Sequence, residues 1–282
     1  MNKIIRTLVK DSMILHKWTI LSNFSTISSH DVSVVKNSMT NNDILDNENT
    51  MEYIEANIKN MNAKTAVRTI NILYKKFNRN KKLHQTDFTN SKEFENICKV
   101  ISKDVRSLSR YDTINILQCL LFFNVSANSV LIQTLLQMIR VSLNDFTVGQ
   151  IITLHNILYT MEHSFLCESI LLALPYVFKQ QAKIELNSNS TNLFPVLKFC
   201  NKIKDHTTSR HILTILLKNK NRINLDKIIQ VCIAIYGLPK LCPPTTQLLH
   251  HVQYMISTNS NRFDLEKIEL LLYHISKKAP NL

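Results

Sequence analysis

A five-residue echo constrains this chain more than any other feature: Thr69-Ile70-Asn71-Ile72-Leu73 returns as Thr113-Ile114-Asn115-Ile116-Leu117. Its register continues as apolar residues at i, i+3, i+6 and i+7. The copies are Ile114/Leu117/Leu120/Leu121, Ile151/Leu154/Ile157/Leu158, Leu193/Val196/Phe199/Cys200, Ile228/Val231/Ala234/Ile235 and Leu265/Ile268/Leu271/Leu272. The anchors Leu73, Leu117, Leu154, Val196, Val231 and Ile268 stand 44, 37, 42, 35 and 37 residues apart. This spacing lines one face of a helix, and the period-two alternation of a strand is missing. A period of 35–44 residues accommodates one two-helix unit per repeat. The fold expected is therefore all-α, an α-solenoid of helical hairpins. The anchors mark helix A of each unit. Helix B is expected at Phe94–Lys103, Val130–Val141, Phe165–Phe178, His211–Lys218 and Thr246–Ile256.

Local signals agree with helices. Glycine occurs twice in 282 residues, at Gly149 and Gly237, which disfavours hairpin turns and phosphate-cradling loops. N-caps are expected at Ser109 or Asp112, at Asp145, at Asn224 and at Asp264. Pro243-Pro244 suits the start of a helix B, Pro175 is expected to kink or end its helix, and Glu185–Asn192 reads as a polar loop between repeats. Each hairpin buries one face against its neighbour, so stacked units share a continuous core. The array closes near Leu282 on a helix A without a polar capping repeat, so two expectations stand open: the chain is a fragment, or its last face docks on a protein partner.

The chain divides into a presequence at 1–30, a polar linker at 31–60 and a helical-repeat domain at 61–282. The first segment carries Lys3, Arg6, Lys10 and Lys17 against one acid, Asp11. Ile4, Ile5, Leu8 and Leu15 lie near one helical face, and Ser22, Ser25, Thr26, Ser28 and Ser29 follow. Basic, amphipathic, hydroxyl-rich and acid-poor is the composition of a mitochondrial presequence, which places the protein in the matrix. The linker holds Asp43, Asp46 and Glu48, and a first helix is expected near Glu52. No run is long and apolar enough for a membrane span.

Charge is uneven. Residues 1–60 carry six Lys/Arg and seven Asp/Glu, whereas residues 61–282 carry 28 and 14. A folded region this basic favours polyanions. Three groups stand out. Lys75, Lys76, Arg79, Lys81 and Lys82 lie at and beyond the end of the first helix A. Lys103, Arg106 and Arg110 lie in a turn between repeats, and Lys198, Lys202, Lys204, Arg210, Lys218, Lys220 and Arg222 form the third group. Aromatic residues also recur five positions after an anchor, at Phe122, Tyr159, Tyr236 and Tyr273. There they either pack at a helix end or stack on a base.

Catalytic and metal-binding patterns are missing. Cys98, Cys119, Cys167, Cys200, Cys232 and Cys242 form no C-x-x-C pair and read as small core residues of a reducing compartment. His250-His251 is the one adjacent histidine pair, and His206 and His211 are five apart, which does not place both rings on one helical face. No metalloprotease, nucleotide-loop or nucleophile-elbow motif is present. No enzymatic activity, cofactor or metal is expected.

The stretch Ser109-Arg110-Tyr111-Asp112-Thr113-Ile114-Asn115-Ile116-Leu117-Gln118-Cys119-Leu120-Leu121, followed by Phe146-Thr147-Val148-Gly149-Gln150-Ile151-Ile152-Thr153-Leu154, resembles the helical leucine-rich region of the FAST kinase domain-containing proteins. The likeness rests on leucine spacing across the repeat region. It extends to neither the FAST segments nor the RAP domain of that family, so no nuclease-like function carries over. It implies a mitochondrial RNA-binding protein acting in RNA processing, stability or translation control. The alternative is a protein–protein scaffold of armadillo or HEAT type.

Overall fold

A computed structural model describes residues 50–79, 88–162, 164–186, 193–219, 223, 225–240 and 242–259. Among the described residues there is no strand, and the helices are α1 (Thr50–Asn57), α2 (Ala63–Arg79), α3 (Lys92–Lys103), α4 (Arg110–Phe122), α5 (Val130–Val141), α6 (Val148–Thr160), α7 (Phe165–Glu185), α8 (Leu193–Lys202), α9 (His206–Lys218), α10 (Leu225–Gly237) and α11 (Pro243–Thr258). The expected presequence, the linker up to residue 49, the closing anchor Ile268 and the aromatic Tyr273 lie outside the described residues.

The even-numbered helices α2 to α10 are the helices A of the sequence register. Their anchors Leu73, Leu117, Leu154, Val196 and Val231 are all buried. Each helix A packs on the helix B that follows it and on the next helix A: α2 on α4, α4 on α6, α6 on α8, and α8 on α10. The helices B repeat the pattern, α5 on α7, α7 on α9 and α9 on α11. Short connections make each pair antiparallel. Two cross-links show that α5 and α7 run in step: the Gln133 amide donates to Ser164 Oγ (3.4 Å) and the Gln181 amide to the Asn144 carbonyl (2.6 Å). The apolar core is one cluster from Ile54 to Ile256. Phe123, fully buried, draws in Phe77, Phe88 and Phe94 with ring centroids 5.7, 5.3 and 5.4 Å away, so the first hairpin and the second share an aromatic knot.

Helix starts are written into the turns. Ser91, Ser109, Ser129 and Ser164 each accept a hydrogen bond from the backbone N–H three residues on. Asp205 does the same for Thr208, and Asn62 caps α2 through the Thr65 N–H (2.9 Å). Ser109, not Asp112, is the cap of α4. At α6 the cap is Thr147, which forms a capping box with Gln150, while Asp145 closes the preceding 3-10 turn. Asn224 and Asp264 lie outside the described residues.

The observed helices B contain the expected segments, and several run longer. The largest departure is α7, which continues past Pro175 to Glu185. Proline deprives the Leu171 carbonyl of its i+4 donor. Burial of Leu174, Val177, Phe178 and Ala182 holds the second half in place. Polar ties to the turn before α6 help, from Gln181 to the Asn144 carbonyl and from the Val148 N–H to Glu185 Oε1 (2.9 Å). Glu185 is thus helical, and the rest of the expected loop, 187–192, lies outside the described residues. Pro243 and Pro244 occupy the first turn of α11.

Glycine scarcity has a structural cost. Helices α4 and α8 both end in Schellman caps, in which Asn124 (φ 55°) and Lys204 (φ 57°) take the left-handed conformation. The Val125 N–H reaches the Leu120 carbonyl (2.9 Å) and the Asp205 N–H the Cys200 carbonyl (2.8 Å), with the inner bonds Asn124 to Leu121 and Lys204 to Asn201. Asparagine tolerates this conformation and lysine less so. Lys204→Gly is therefore expected to raise stability by about 0.5–1 kcal/mol, read as a shift in the urea midpoint at constant m. Asn124→Gly should gain less. A loss of stability at Lys204→Gly would show that the side chain contributes more than its backbone costs.

Candidate nucleic-acid interface

The antiparallel hairpins have two edges. One edge gathers the C-terminal ends of the helices A and the starts of the helices B. The other gathers the starts of the helices A and the ends of the helices B. The basic residues singled out in the sequence divide between them.

On the first edge stand Lys75 and Arg79 of α2, both exposed, with Lys76 half-buried beside them. Farther along the same row stand Lys198 and Lys202 of α8 and Lys204 just beyond it, all exposed. Lys103, Arg106 and Lys218 are exposed on the second edge. Arg110 is there too, but it is engaged: its guanidinium donates to the Asp145 carbonyl and lies 4.0 Å from the Asp145 carboxylate. It ties consecutive inter-repeat turns together. Arg210, at the start of α9, is only half-exposed, and its Nε is buried without a hydrogen-bond partner among the described residues. It is a poor surface contact. Lys81, Lys82, Lys220 and Arg222 lie outside the described residues. The three sequence clusters therefore do not merge into one patch, because the middle one sits at the opposite ends of the helices.

What fills the first edge between α2 and α8 is aromatic and polar. Phe122, at the end of α4, is half-buried and meets Tyr74 of α2 edge-on with centroids 4.9 Å apart. The Gln118 amide donates to the Tyr74 hydroxyl (3.4 Å), and the Cys119 thiol lies 3.1 Å from Asn71 Oδ1. At the end of α6, Tyr159 is 60% exposed. The Lys202 ammonium, from the neighbouring α8, sits 4.4 Å from the centre of its ring. The same ammonium lies 3.4 Å from His155 Nδ1 and 3.4 Å from Asn156 Oδ1. Of the recurring aromatics, Phe122 packs and Tyr159 presents its ring. The Tyr236 side chain and Tyr273 lie outside what the structure describes.

The electrostatics follow from burial. His155 is buried against Phe199, their rings 4.9 Å apart and edge-on. Burial first, and the nearby Lys202 second, bring its pKa down to about 4, so it is neutral at pH 7 and can accept from the ammonium. Partial burial, then the Lys198 charge, lowers the Lys202 pKa. No carboxylate pairs with Lys202 among the described residues. Its charge is held in place by neutral groups and an aromatic face, and it remains available to an anion.

Four of the six cysteines take the expected core role. Cys119, Cys167, Cys200 and Cys232 are buried, and burial raises the thiol pKa at each, to about 12 at Cys200 and Cys232. Cys242 is half-exposed at the start of α11, where the Thr245 hydroxyl lowers its pKa. Among the described residues no three His, Cys, Asp or Glu side chains gather as metal ligands, and no helix is long and apolar enough to cross a membrane.

Asn156, His155 and Gln118 did not stand out in the sequence. The signal was present, since they fall one or two positions after the anchors Leu154 and Leu117. Reading it required knowing that helix A packs on helix A. Comparison with protein-family profiles, with curated proteins and with solved structures gave no match.

The depressed His155 pKa has a consequence for stability. Unfolded, the imidazole takes up a proton near pH 6.5, and folded it resists until about pH 4. Stability from this site is complete above pH 6.5 and is lost as pH falls toward 4. His155→Gln is expected to flatten that part of the profile, measured as urea midpoints at pH 7.5 and pH 5. An unchanged slope would assign the acid sensitivity elsewhere.

Proposed function

We propose that this chain is an α-solenoid of helical hairpins that binds RNA in the mitochondrial matrix, positioning a transcript for processing, stabilisation or translation without cutting it. The observation that carries the reading is the first edge: Lys75, Arg79, Lys198, Lys202 and Lys204 flank Phe122 and the exposed Tyr159 on one row of helix ends. Lysine and arginine release counterions from phosphates, and aromatic faces take bases, so the two together fit nucleic acid better than either alone. The 28 bases against 14 acids of residues 61–282 support it. So do the presequence-like start and the resemblance to the FAST kinase domain-containing proteins. The stepwise packing of α2 to α11 is what a solenoid requires.

The test is the salt dependence of binding to a fluorescent single-stranded RNA. Five phosphate contacts predict a slope of log affinity against log salt of about −3.5. Reversing charge at Lys75 and Arg79 together should weaken binding at least tenfold, while reversing Lys103 and Arg106, on the other edge, should matter less. Crosslinking in mitochondria should recover transcripts. Affinity indifferent to salt, or equal losses from both edges, counts against this interface.

One observation favours a second reading, a protein scaffold. The outer line of α7 presents Phe165, Leu172 and Tyr176, exposed at 85, 74 and 73%. On α5, which packs against α7, Val130 and Val141 are exposed as well. Exposed apolar side chains gathered like this mark protein contacts. On that reading Leu172→Asp abolishes a protein complex from mitochondria and leaves RNA affinity untouched. Loss of that complex without any RNA recovered by crosslinking would favour the scaffold.

A further inference from the structure

We infer that Tyr159 and Lys202 form a docking position for one unpaired nucleotide, the ring stacking on the base and the ammonium meeting its phosphate, so that the chain takes single-stranded RNA in preference to duplex. This rests on the RNA reading above and adds to it a defined position and a strand state.

Three features of the position lead to this assignment. First, the ammonium is placed before any ligand arrives. The Tyr159 ring at 4.4 Å, His155 Nδ1 at 3.4 Å and Asn156 Oδ1 at 3.4 Å hold it from one side, and all three are neutral. A lysine free in solvent must lose side-chain freedom on meeting a phosphate, and this one has already lost much of it. Second, the charge is uncompensated. No acid pairs with Lys202 among the described residues, and Lys198, one turn earlier on α8, adds a second positive charge. An anion is the ligand that satisfies such a pair. Third, the ring is oriented yet open. His155 lies one turn before it with the two rings stacked and nearly parallel (10° between planes, centroids 6.1 Å apart), and Tyr159 is nonetheless 60% exposed.

Stacking decides the strand state. The faces of bases inside a duplex are covered by their neighbours, so an aromatic ring reaches them only in single strands, loops and ends. A purely electrostatic edge would bind duplex and single strand alike. Tyr159 converts a phosphate site into one that discriminates. Base identity is left unread, because a ring face accepts any base.

The experiment compares a 12-nucleotide oligouridylate with a 12-base-pair RNA duplex by fluorescence anisotropy, using the full chain. The parent protein is expected to favour the single strand. Tyr159→Leu should weaken single-strand binding roughly tenfold and duplex binding by a clearly smaller factor, because the ring also helps hold the Lys202 ammonium, while Tyr159→Trp should bind the single strand at least as tightly as the parent. Lys202→Gln should weaken both and reduce the salt slope by about 0.7. Thermal melts by circular dichroism check that each variant folds. The inference is overturned if Tyr159→Leu changes single-strand affinity less than twofold, or weakens single strand and duplex equally. If charge reversal at Lys75 and Arg79 still weakens binding in that case, the RNA reading stands and only this position fails. Absence of RNA binding by the parent protein overturns both.

Discussion

Every element described here depends on lateral apolar packing between consecutive hairpins. A two-helix unit has one apolar face and too little core to offset the entropy of ordering its own backbone. The anchors Leu73, Leu117, Leu154, Val196 and Val231 answer this by burying each helix A against the next, and the core runs as one cluster from Ile54 to Ile256. The aromatic knot around Phe123 shows the dependence most clearly, since its rings come from α2, from α3 and the turn before it, and from the end of α4. Function inherits this dependence. Tyr159 belongs to α6 and Lys202 to α8, so the position they share exists only because α6 packs on α8.

The turns show how a chain with two glycines makes sharp helix reversals. Serine, threonine, asparagine and aspartate side chains cap the helix starts, and left-handed Asn124 and Lys204 close two helix ends. Lys204 is the informative case. A glycine would be the easier residue there, yet a lysine stands beside Lys202 on the basic edge. Its backbone strain is a cost tolerated at a position where the proposed interface uses the charge.

Different outcomes at two proline sites mark the limits of local reasoning. Pro243 and Pro244 sit in a first turn, where the missing N–H has no intrahelical partner to lose, and the local rule holds. Pro175 does not end its helix, because burial of Leu174, Phe178 and Ala182 outweighs one lost backbone hydrogen bond. The basic clusters divide similarly. Lys75, Arg79, Lys198, Lys202 and Lys204 stand exposed at the ends of helices A, while Lys103, Arg106 and Lys218 stand at the other edge. Arg110 is tied to Asp145, distant in sequence, and Arg210 is turned partly inward with its Nε buried.

What the sequence determined by itself was the helical class, the register of the helices A and the placement, though not the full length, of the helices B, since these follow from a 3.6-residue periodicity and capping chemistry acting within a few neighbouring residues. It also determined the excess of positive charge. Only the tertiary structure decided which bases face together, which aromatic packs and which is presented, and that His155 is neutral beneath Lys202. Those outcomes turn on contacts between residues 47 positions apart, whose distance is set by how one helix seats against another and is encoded in no local pattern.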